Sequence, residues 1–436
     1  MSNVQVGIAR RDITPPLGTE LFGYPAARHG HVINDALNAT ALVLKSEDCV
    51  ACIVSLDLAI IDEEEVAAIR AEVEKATGIA SENITLCATH THSGPVTIHC
   101  WGWGEKNPEY LTSLCAHVTD AVIEAQRTLQ AARVGIGVAP SDVGVNRRVV
   151  QSDGSVGLPV SGHRGFNEFG PHDRDLTVVR FEGKNGPLAS IVHLGVHATS
   201  RGEEPSISRD WPGVMMDRVE SLTGAPVLFI NGAFGDVAPR MACGGAAGDG
   251  AIAAQEAGLR AASDAITAWR SICDFEEMEL QTHCGSFELP NSSLPSREVA
   301  ERELAARAGD ENKRGAAGAD WNYWNAVLQA HDEPLQISRV FQQTITRLGS
   351  LAIVPFAGEI FTEIALRLKT ASPFTHTLVA GTSNGAHGYY VTREGYARGG
   401  YEPWVARAYG AYLLEVGIDD VLVRENLALL EAMVTT

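Results

Sequence analysis

The run Leu86-Cys87-Ala88-Thr89-His90-Thr91-His92-Ser93-Gly94-Pro95 carries two imidazoles two residues apart, behind an apolar stretch and ahead of a Gly-Pro turn. Imidazole is the commonest metal ligand and titrates near neutrality, so such a pair suits a metal site or acid/base work. On a strand, residues two apart share a face, and a strand end would hold both rings rigidly while leaving them open to a ligand. The pair by itself also fits hydrogen-bonded scaffolding. Three further segments add weight, because each is apolar and ends in groups a core has no reason to keep polar. They are His193-Leu194-Gly195-Val196-His197-Ala198-Thr199-Ser200, the run from Val354 to Phe361 with Glu359 as its lone carboxylate, and His387 to Glu394 leading to Tyr396 and Tyr401-Glu402.

Strand-end histidines from distant segments, joined by a carboxylate, match the composition of a catalytic zinc site, which keeps one position for water or substrate. Zinc lowers the pKa of its water to about 7 and so supplies a hydroxide nucleophile at neutral pH. The spacings are not those of a zincin or a zinc finger, so spacing alone does not assemble this site. Asp57, Asp210 and Asp236 follow apolar or turn segments, and are read either as acceptors for imidazole N–H groups or as turn caps. His29 and His31 beside Tyr24-Pro25, and His99-Cys100-Trp101-Gly102-Trp103, are candidates for shaping the pocket, with packing of the two tryptophans as the alternative.

The elements that must position these groups alternate between strand and helix, which makes the chain α/β with mixed sheets flanked by helices. The first strand lies near the N-terminus, followed by the turn-rich Asp12-Ile13-Thr14-Pro15-Pro16-Leu17-Gly18. Strands are expected at 39–44, 50–61, 84–88, 176–181, 189–196, 226–231, 277–287 and 336–355. Helices are expected at 63–77, closed by Gly78, and at 110–129, 214–222, 251–269 and 404–416. The Gly-rich tract 243–250 reads as a loop. The charged, Ala-rich stretch 295–332 reads as helical with a break at 315–318, either an insertion or lid over a single domain spanning 1–436, or a solvated hairpin.

The chain has 436 residues, 34 basic against 54 acidic side chains, and a formal charge of −20. That charge opposes binding to nucleic acid or an anionic membrane surface. No run of about 18 apolar residues occurs, so no membrane span is expected. The partner implied is a small-molecule substrate; a homo-oligomer is left open. Eight cysteines lie mostly in apolar segments, and the N-terminus lacks a basic region followed by an apolar one, which together point to reduced thiols and a cytoplasmic location. Cys49-Val50-Ala51-Cys52 has redox spacing, but it overlaps a strand and reads as structural.

These segments resemble the catalytic domain of the neutral/alkaline non-lysosomal ceramidase family. The resemblance runs in order from about residue 4 to residue 412. It is carried by Asp12-Ile13-Thr14-Pro15-Pro16, Ala88-Thr89-His90-Thr91-His92-Ser93-Gly94-Pro95, His197-Ala198-Thr199-Ser200, Asn231-Gly232-Ala233-Phe234-Gly235-Asp236-Val237-Ala238-Pro239, Gly358-Glu359, and Gly388-Tyr389 through Tyr401-Glu402. It implies one zinc ion per chain held by His90, His197, Glu359 and Tyr389. It also implies that His92, Arg147 and Tyr401 face substrate, with Arg148 an equally legal match for the arginine. The implied activity is hydrolysis of an amide or related acyl bond by metal-activated water.

The chain departs from the family pattern at Ala238, which stands where the family's Gly-Asp-Val-Ser-Pro block has serine. Alanine offers neither a nucleophile nor a side-chain hydrogen bond, so the mechanism must do without that hydroxyl. The chain ends at Thr436, without the family's further immunoglobulin-like domain, and shows no export signal. A soluble amide or ester, an N-acyl or sugar-derived compound, is therefore expected in place of ceramide. Alternatives are an esterase or lactonase on the same metal, or a non-catalytic ligand-binding member of the family. A cysteine hydrolase using Cys87 with His90 is disfavoured, because residues three apart on a strand point to opposite faces.

Overall fold

A computed structural model describes residues 4–150, 152–157, 170–241, 249–333 and 339–435. Three sheets share one central core. The first runs in the order Ile84–Ala88, Val50–Leu56, Asn38–Lys45, Gln5–Asp12, Gln130–Ala131. The second runs Val227–Asn231, Gly186–Leu194, Asp175–Gly183, Arg133–Pro140, and the third Leu280–Leu289, Arg339–Leu348, Leu351–Pro355, His376–Ala380. Val6, Leu44 and Ile53 of the first sheet, Phe181, Ile191 and Ile230 of the second, and Leu280, Ile353 and Leu378 of the third meet in one buried apolar cluster. Each sheet then turns its other face to helices, which is why its strands read as near-continuous apolar runs.

Helices Glu63–Thr77 and Pro108–Arg127 cover the first sheet, Asp210–Thr223 and Gly250–Ser271 the second, and Thr362–Ala371 and Ile418–Thr435 the third. Local chemistry explains their ends. Glu63–Thr77 starts with three glutamates and stops at Gly78 in the left-handed conformation, whose N–H bonds to Glu74 O. Pro108 occupies the first turn of its helix, and the Asn107 side chain accepts from the N–H groups of Glu109 and Tyr110.

Within each sheet one pair of strands is parallel: Val50–Leu56 with Ile84–Ala88, Gly186–Leu194 with Val227–Asn231, and Leu351–Pro355 with His376–Ala380. Crevices at the carboxyl ends of parallel strands are where α/β folds bind ligands. His90, His197, Glu359 and Tyr389 each lie just beyond such an end.

Several expectations need correction. The stretch expected as one helix at 404–416 is a short helix, Tyr401–Val405, and a 3₁₀ turn, Ala406–Tyr409, closed at Gly410 (φ 153°). Pro403 sits inside that first turn, where a missing N–H costs nothing. The final helix Ile418–Thr435 was not among the expected elements. In 295–332 the helices are Arg297–Ala305 and Gly315–Asp332, so the break falls at 306–314, and Gly315 and Gly318 belong to the second helix. The strand expected at 336–355 is a hairpin turning at Gly349 (φ 58°). The loop read at 243–250 lies mostly outside the described residues, and no described helix is long and apolar enough to cross a membrane.

Strand and helix in the second layer touch through glycine: a Cβ at Gly137 would lie 2.1 Å from Ala268 O in the helix behind it. Gly137→Val must push that helix away, at a cost of about 1–3 kcal/mol. A lower apparent melting temperature is expected; an unchanged melting temperature would contradict this packing.

Candidate active site

The strand Ile84–Ala88 ends before the two histidines, so sheet alternation does not bring them together. Backbone pairing continues one step, with Thr89 N–H donating to Leu56 O and His90 N–H to Leu58 O, and the chain then turns at His90 with φ 66°. A left-handed histidine is uncommon and is retained only where the surroundings over-determine it. Here the turn swings both rings the same way: His90 Nε2 and His92 Nε2 lie 3.1 Å apart. Thr91 bridges to Ala198, and His92 N–H donates to Ala198 O, which brings His197 alongside. Glu359 and Tyr389 arrive as neighbours in a short parallel pair, Glu359–Ile360 with Tyr389–Tyr390.

Asn231 fastens the two histidine segments together. Its Nδ2 donates to Thr89 O (2.9 Å) and Val196 O (3.0 Å), and its Oδ1 accepts from Val196 N–H (3.1 Å). The Phe234 ring packs against both His90 (4.4 Å) and His197 (4.9 Å). On the other side Gly23 passes so close that an added Cβ would sit 2.3 Å from His92 Nδ1, and Tyr24 stands edge-on to His92 at 5.3 Å.

Protons on these imidazoles are fixed by backbone oxygens. His90 Nδ1 is 2.7 Å from Ala59 O, and His197 Nδ1 is 2.8 Å from Phe234 O and 3.0 Å from Val237 O. A carbonyl only accepts, so both Nδ1 atoms carry hydrogen and both Nε2 atoms present lone pairs. Those lone pairs face Glu359 Oε2, 3.4 Å from His90 Nε2 and 3.1 Å from His197 Nε2. Oε2 is buried and no donor is aimed at it with hydrogen-bond geometry. Burial and then Arg147 push His197 down to about 4, so it is neutral at pH 7. No proton lies between either Nε2 and Glu359 Oε2, and acceptors converging in that way fit a cation. His90, His92 and His197 each offer a nitrogen within 4.8 Å of the others.

His92 is built differently. With His90 Nε2 a bare acceptor, the short contact requires His92 Nε2 to donate, and His92 Nδ1 is buried with no partner. To serve as a third ligand through Nε2, His92 would have to carry its hydrogen on an Nδ1 that lacks an acceptor. A bracing acceptor of that kind is what metal-bound imidazoles ordinarily have.

Tyr389, pushed well above the usual phenol range by burial and then by Glu359, accepts from Arg147 Nη2 at 3.1 Å. Arg147 Nη1 donates to His197 Nε2 at 3.1 Å. Arg147 is set by the pairing of Gly144–Asn146 with Val237–Pro239 and by its N–H to Asp236 O. Arg148, the other match, turns away to the carbonyls of Gly395 and Gly399. The Tyr401 ring lies 6.2 Å from that of Tyr389 and joins the site edge. All seven predicted residues therefore fall in one cluster.

The aspartates read as imidazole acceptors are capping and bracing groups. Asp57 accepts from Asn38 N–H; Asp210 from Ser200, Arg201 and Trp211 N–H; Asp236 from Thr362 N–H and Asn146 Nδ2. Carbonyl oxygens do their expected work, and no sequence signal marks a carbonyl. His29 and His31 are exposed, Trp103 is buried against Trp404, and Ala238 is buried opposite Val145. Cys87 lies in the central core, where burial raises its thiol to about 11, which removes the cysteine nucleophile. Asn231 and Glu402 were legible only as members of quoted blocks, with no role attached.

No family model matches the chain. It is 29% identical over 217 residues to Neutral ceramidase A of Dictyostelium discoideum, a match covering 46% of this chain and 29% of that protein. The match thus spans under a third of the relative's length. The solved neutral ceramidase of Pseudomonas aeruginosa superposes with a TM-score of 0.75 at 20% identity, over 99% of this chain and 75% of that one. A structure described as ceramidase complexed with C2 gives 0.74 at 18%, with the same coverage. The chain shares the α/β fold of the solved neutral ceramidase. More narrowly, the chain is a neutral-ceramidase-like domain.

Two outcomes are expected. Asn231→Ala leaves Val196 N–H and two carbonyls without their partner, costing about 1–3 kcal/mol; an unchanged free energy of unfolding in chemical denaturation would show the fastening irrelevant. Burial raises the Asp57 carboxyl to about 6 in the folded chain, so folding favours its protonated form. That contribution is present below pH 4 and lost as pH rises through 6. Asp57→Asn should flatten this part of the stability profile in chemical denaturation; an unaltered slope between pH 4 and 6 would count against it.

Proposed function

We propose that the chain is a zinc-dependent hydrolase cleaving an amide, or a related acyl bond, of a small-molecule substrate. The observation that carries this reading is Glu359 Oε2, buried without a donor and facing the Nε2 lone pairs of His90 and His197. His90, His197, Glu359 and Tyr389 would hold the ion. When bound, zinc supplies Lewis acidity and brings the pKa of water near neutrality.

The chain's own groups supply the rest. Glu359 sets its negative charge against the cation, and the backbone carbonyls behind His90 and His197 keep both rings in the ligating tautomer. His92 Nε2 carries a hydrogen at the edge of the cluster, where it can be held against a developing oxyanion. Arg147 and Tyr401 place a cation and a phenol on the same side, available to an acyl oxygen as negative charge builds. No step needs a hydroxyl at position 238, because the nucleophile is water.

The relatives are named ceramidases, and that likeness supports an N-acyl compound as the substrate class. The formal charge of −20 opposes docking on an anionic membrane surface, which favours a soluble N-acyl metabolite over ceramide.

His90→Ala, His197→Ala and Glu359→Gln should each remove bound zinc and hydrolysis together while far-ultraviolet circular dichroism stays unchanged. Full activity in any of the three would refute the site. His92→Ala should retain about one zinc per chain yet slow turnover on the order of 10²–10⁴-fold. Loss of zinc from that variant would instead make His92 a ligand. A panel of N-acyl amino acids, N-acyl sugars, lactones and short ceramides, with and without chelator, tests amide against ester. Metal-free protein with undiminished hydrolysis overturns the reading.

A further inference from the structure

We propose that Glu402 is a positioning residue, whose buried carboxylate fixes Arg147 so that both of its terminal nitrogens face the acyl-oxygen side of the site. This rests on the hydrolase reading above. Glu402 is 0% exposed. Its Oε1 accepts from Arg147 Nε at 3.0 Å, and its Oε2 accepts from Arg148 Nη1. A guanidinium is a rigid planar fork, so committing Nε sets the direction of the opposite edge. That edge is where the site lies, with Nη1 3.1 Å from His197 Nε2 and Nη2 3.1 Å from Tyr389 OH. The rings of Tyr389 and Tyr401, 5.9 and 5.8 Å from the guanidinium carbon, close on it from the side.

Arg148 makes the carboxylate immobile. Its Nη2 donates to Gly395 O (3.1 Å) and Gly399 O (2.8 Å), tying Glu402 to the loop that precedes the helix Tyr401–Val405. Arg147 therefore hangs from an anchored group, and reaching toward substrate does not drag its support along. One carboxylate shared by two guanidiniums leaves the trio with a single positive charge, so Arg147 keeps attraction for an oxygen that turns negative. Glu402 follows Tyr401 directly, so one short turn sets both the phenol and the arginine. By this geometry Glu402 touches no substrate atom and takes no proton.

The test uses the full chain, zinc-loaded and zinc-free, with Glu402→Gln, Arg147→Ala, the double variant and Arg148→Met. Glu402→Gln should cut kcat/KM about 10²-fold, mainly in kcat, at unchanged zinc content. In the Arg147→Ala background the same change should cost less than about threefold, since the two act as one unit. On zinc-free protein, calorimetric binding of butyrate, standing in for the acyl product, should weaken about tenfold in Glu402→Gln. Arg148→Met, which removes the anchor but leaves the Arg147 Nε bond, should cut kcat/KM about tenfold at unchanged zinc content. Equal losses from Glu402→Gln in both backgrounds, or no loss in either, overturn the proposal. Should Glu402→Gln fail to fold, Arg148→Met with and without Arg147→Ala decides: a loss that vanishes in the Arg147→Ala background supports the clamp, and an equal loss in both backgrounds, or none in either, overturns it. Failure of the hydrolase reading looks different, because wild-type protein would then show no chelator-sensitive hydrolysis while butyrate binding still reports Arg147.

Discussion

Everything at this site depends on where two protons are held. The carbonyls of Ala59, Phe234 and Val237 take the Nδ1 hydrogens of His90 and His197, which leaves the Nε2 lone pairs pointing at a carboxylate oxygen. Lone pairs facing one another in a buried place are unfavourable unless something positive lies between them. Arg147 relieves part of this by donating to His197, and His92 relieves another part by donating to His90. Neither reaches Glu359 Oε2 with hydrogen-bond geometry. That leftover acceptor is the physical reason to expect a cation.

Three sheets are needed because the clustered side chains come from three places. Each sheet contributes one parallel pair, and each pair opens its carboxyl end toward the same point. The central core that joins the sheets therefore fixes the site as well as the fold. Strain is confined to the turn at His90, where the left-handed backbone is stitched on both sides: to Leu58 before the turn and to Ala198 after it. Charge is arranged in a line, from Glu359 through Arg147 to Glu402 and Arg148, with tyrosine rings as its walls. Such an order places a positive group on the side where an acyl oxygen would gain charge.

Much of this was legible because it is written in local chemistry. The Glu63–Thr77 helix shows its acidic start and its Gly78 stop, and Ile84–Ala88 reads as a strand from its apolar run alone. Four polar groups ending apolar runs marked the cluster, and the family resemblance assigned their roles. What failed had non-local causes. The face shared by His90 and His92 arises from a positive φ, which a non-glycine sequence does not announce. Helical spacing after Pro403 suggested a long helix, but tertiary contacts let it run only to Tyr409. Arg147 and Arg148 are adjacent and identical in type, and only their partners in the fold tell them apart: Arg147 donates to His197 and Tyr389, Arg148 to the Gly395 and Gly399 carbonyls. For Asp57, Asp210 and Asp236 the turn-cap alternative is the one that holds, and the imidazoles' partners are backbone carbonyls, which a sequence does not display.

Anomalous diffraction at the zinc edge, from crystals of the protein, tests the central claim most directly. One peak is expected, bonded at about 2.0–2.2 Å to His90 Nε2, His197 Nε2 and a Glu359 oxygen, with both Nδ1 atoms still on their carbonyls. No peak there, or zinc bound through Nδ1 after those carbonyl contacts break, would contradict it.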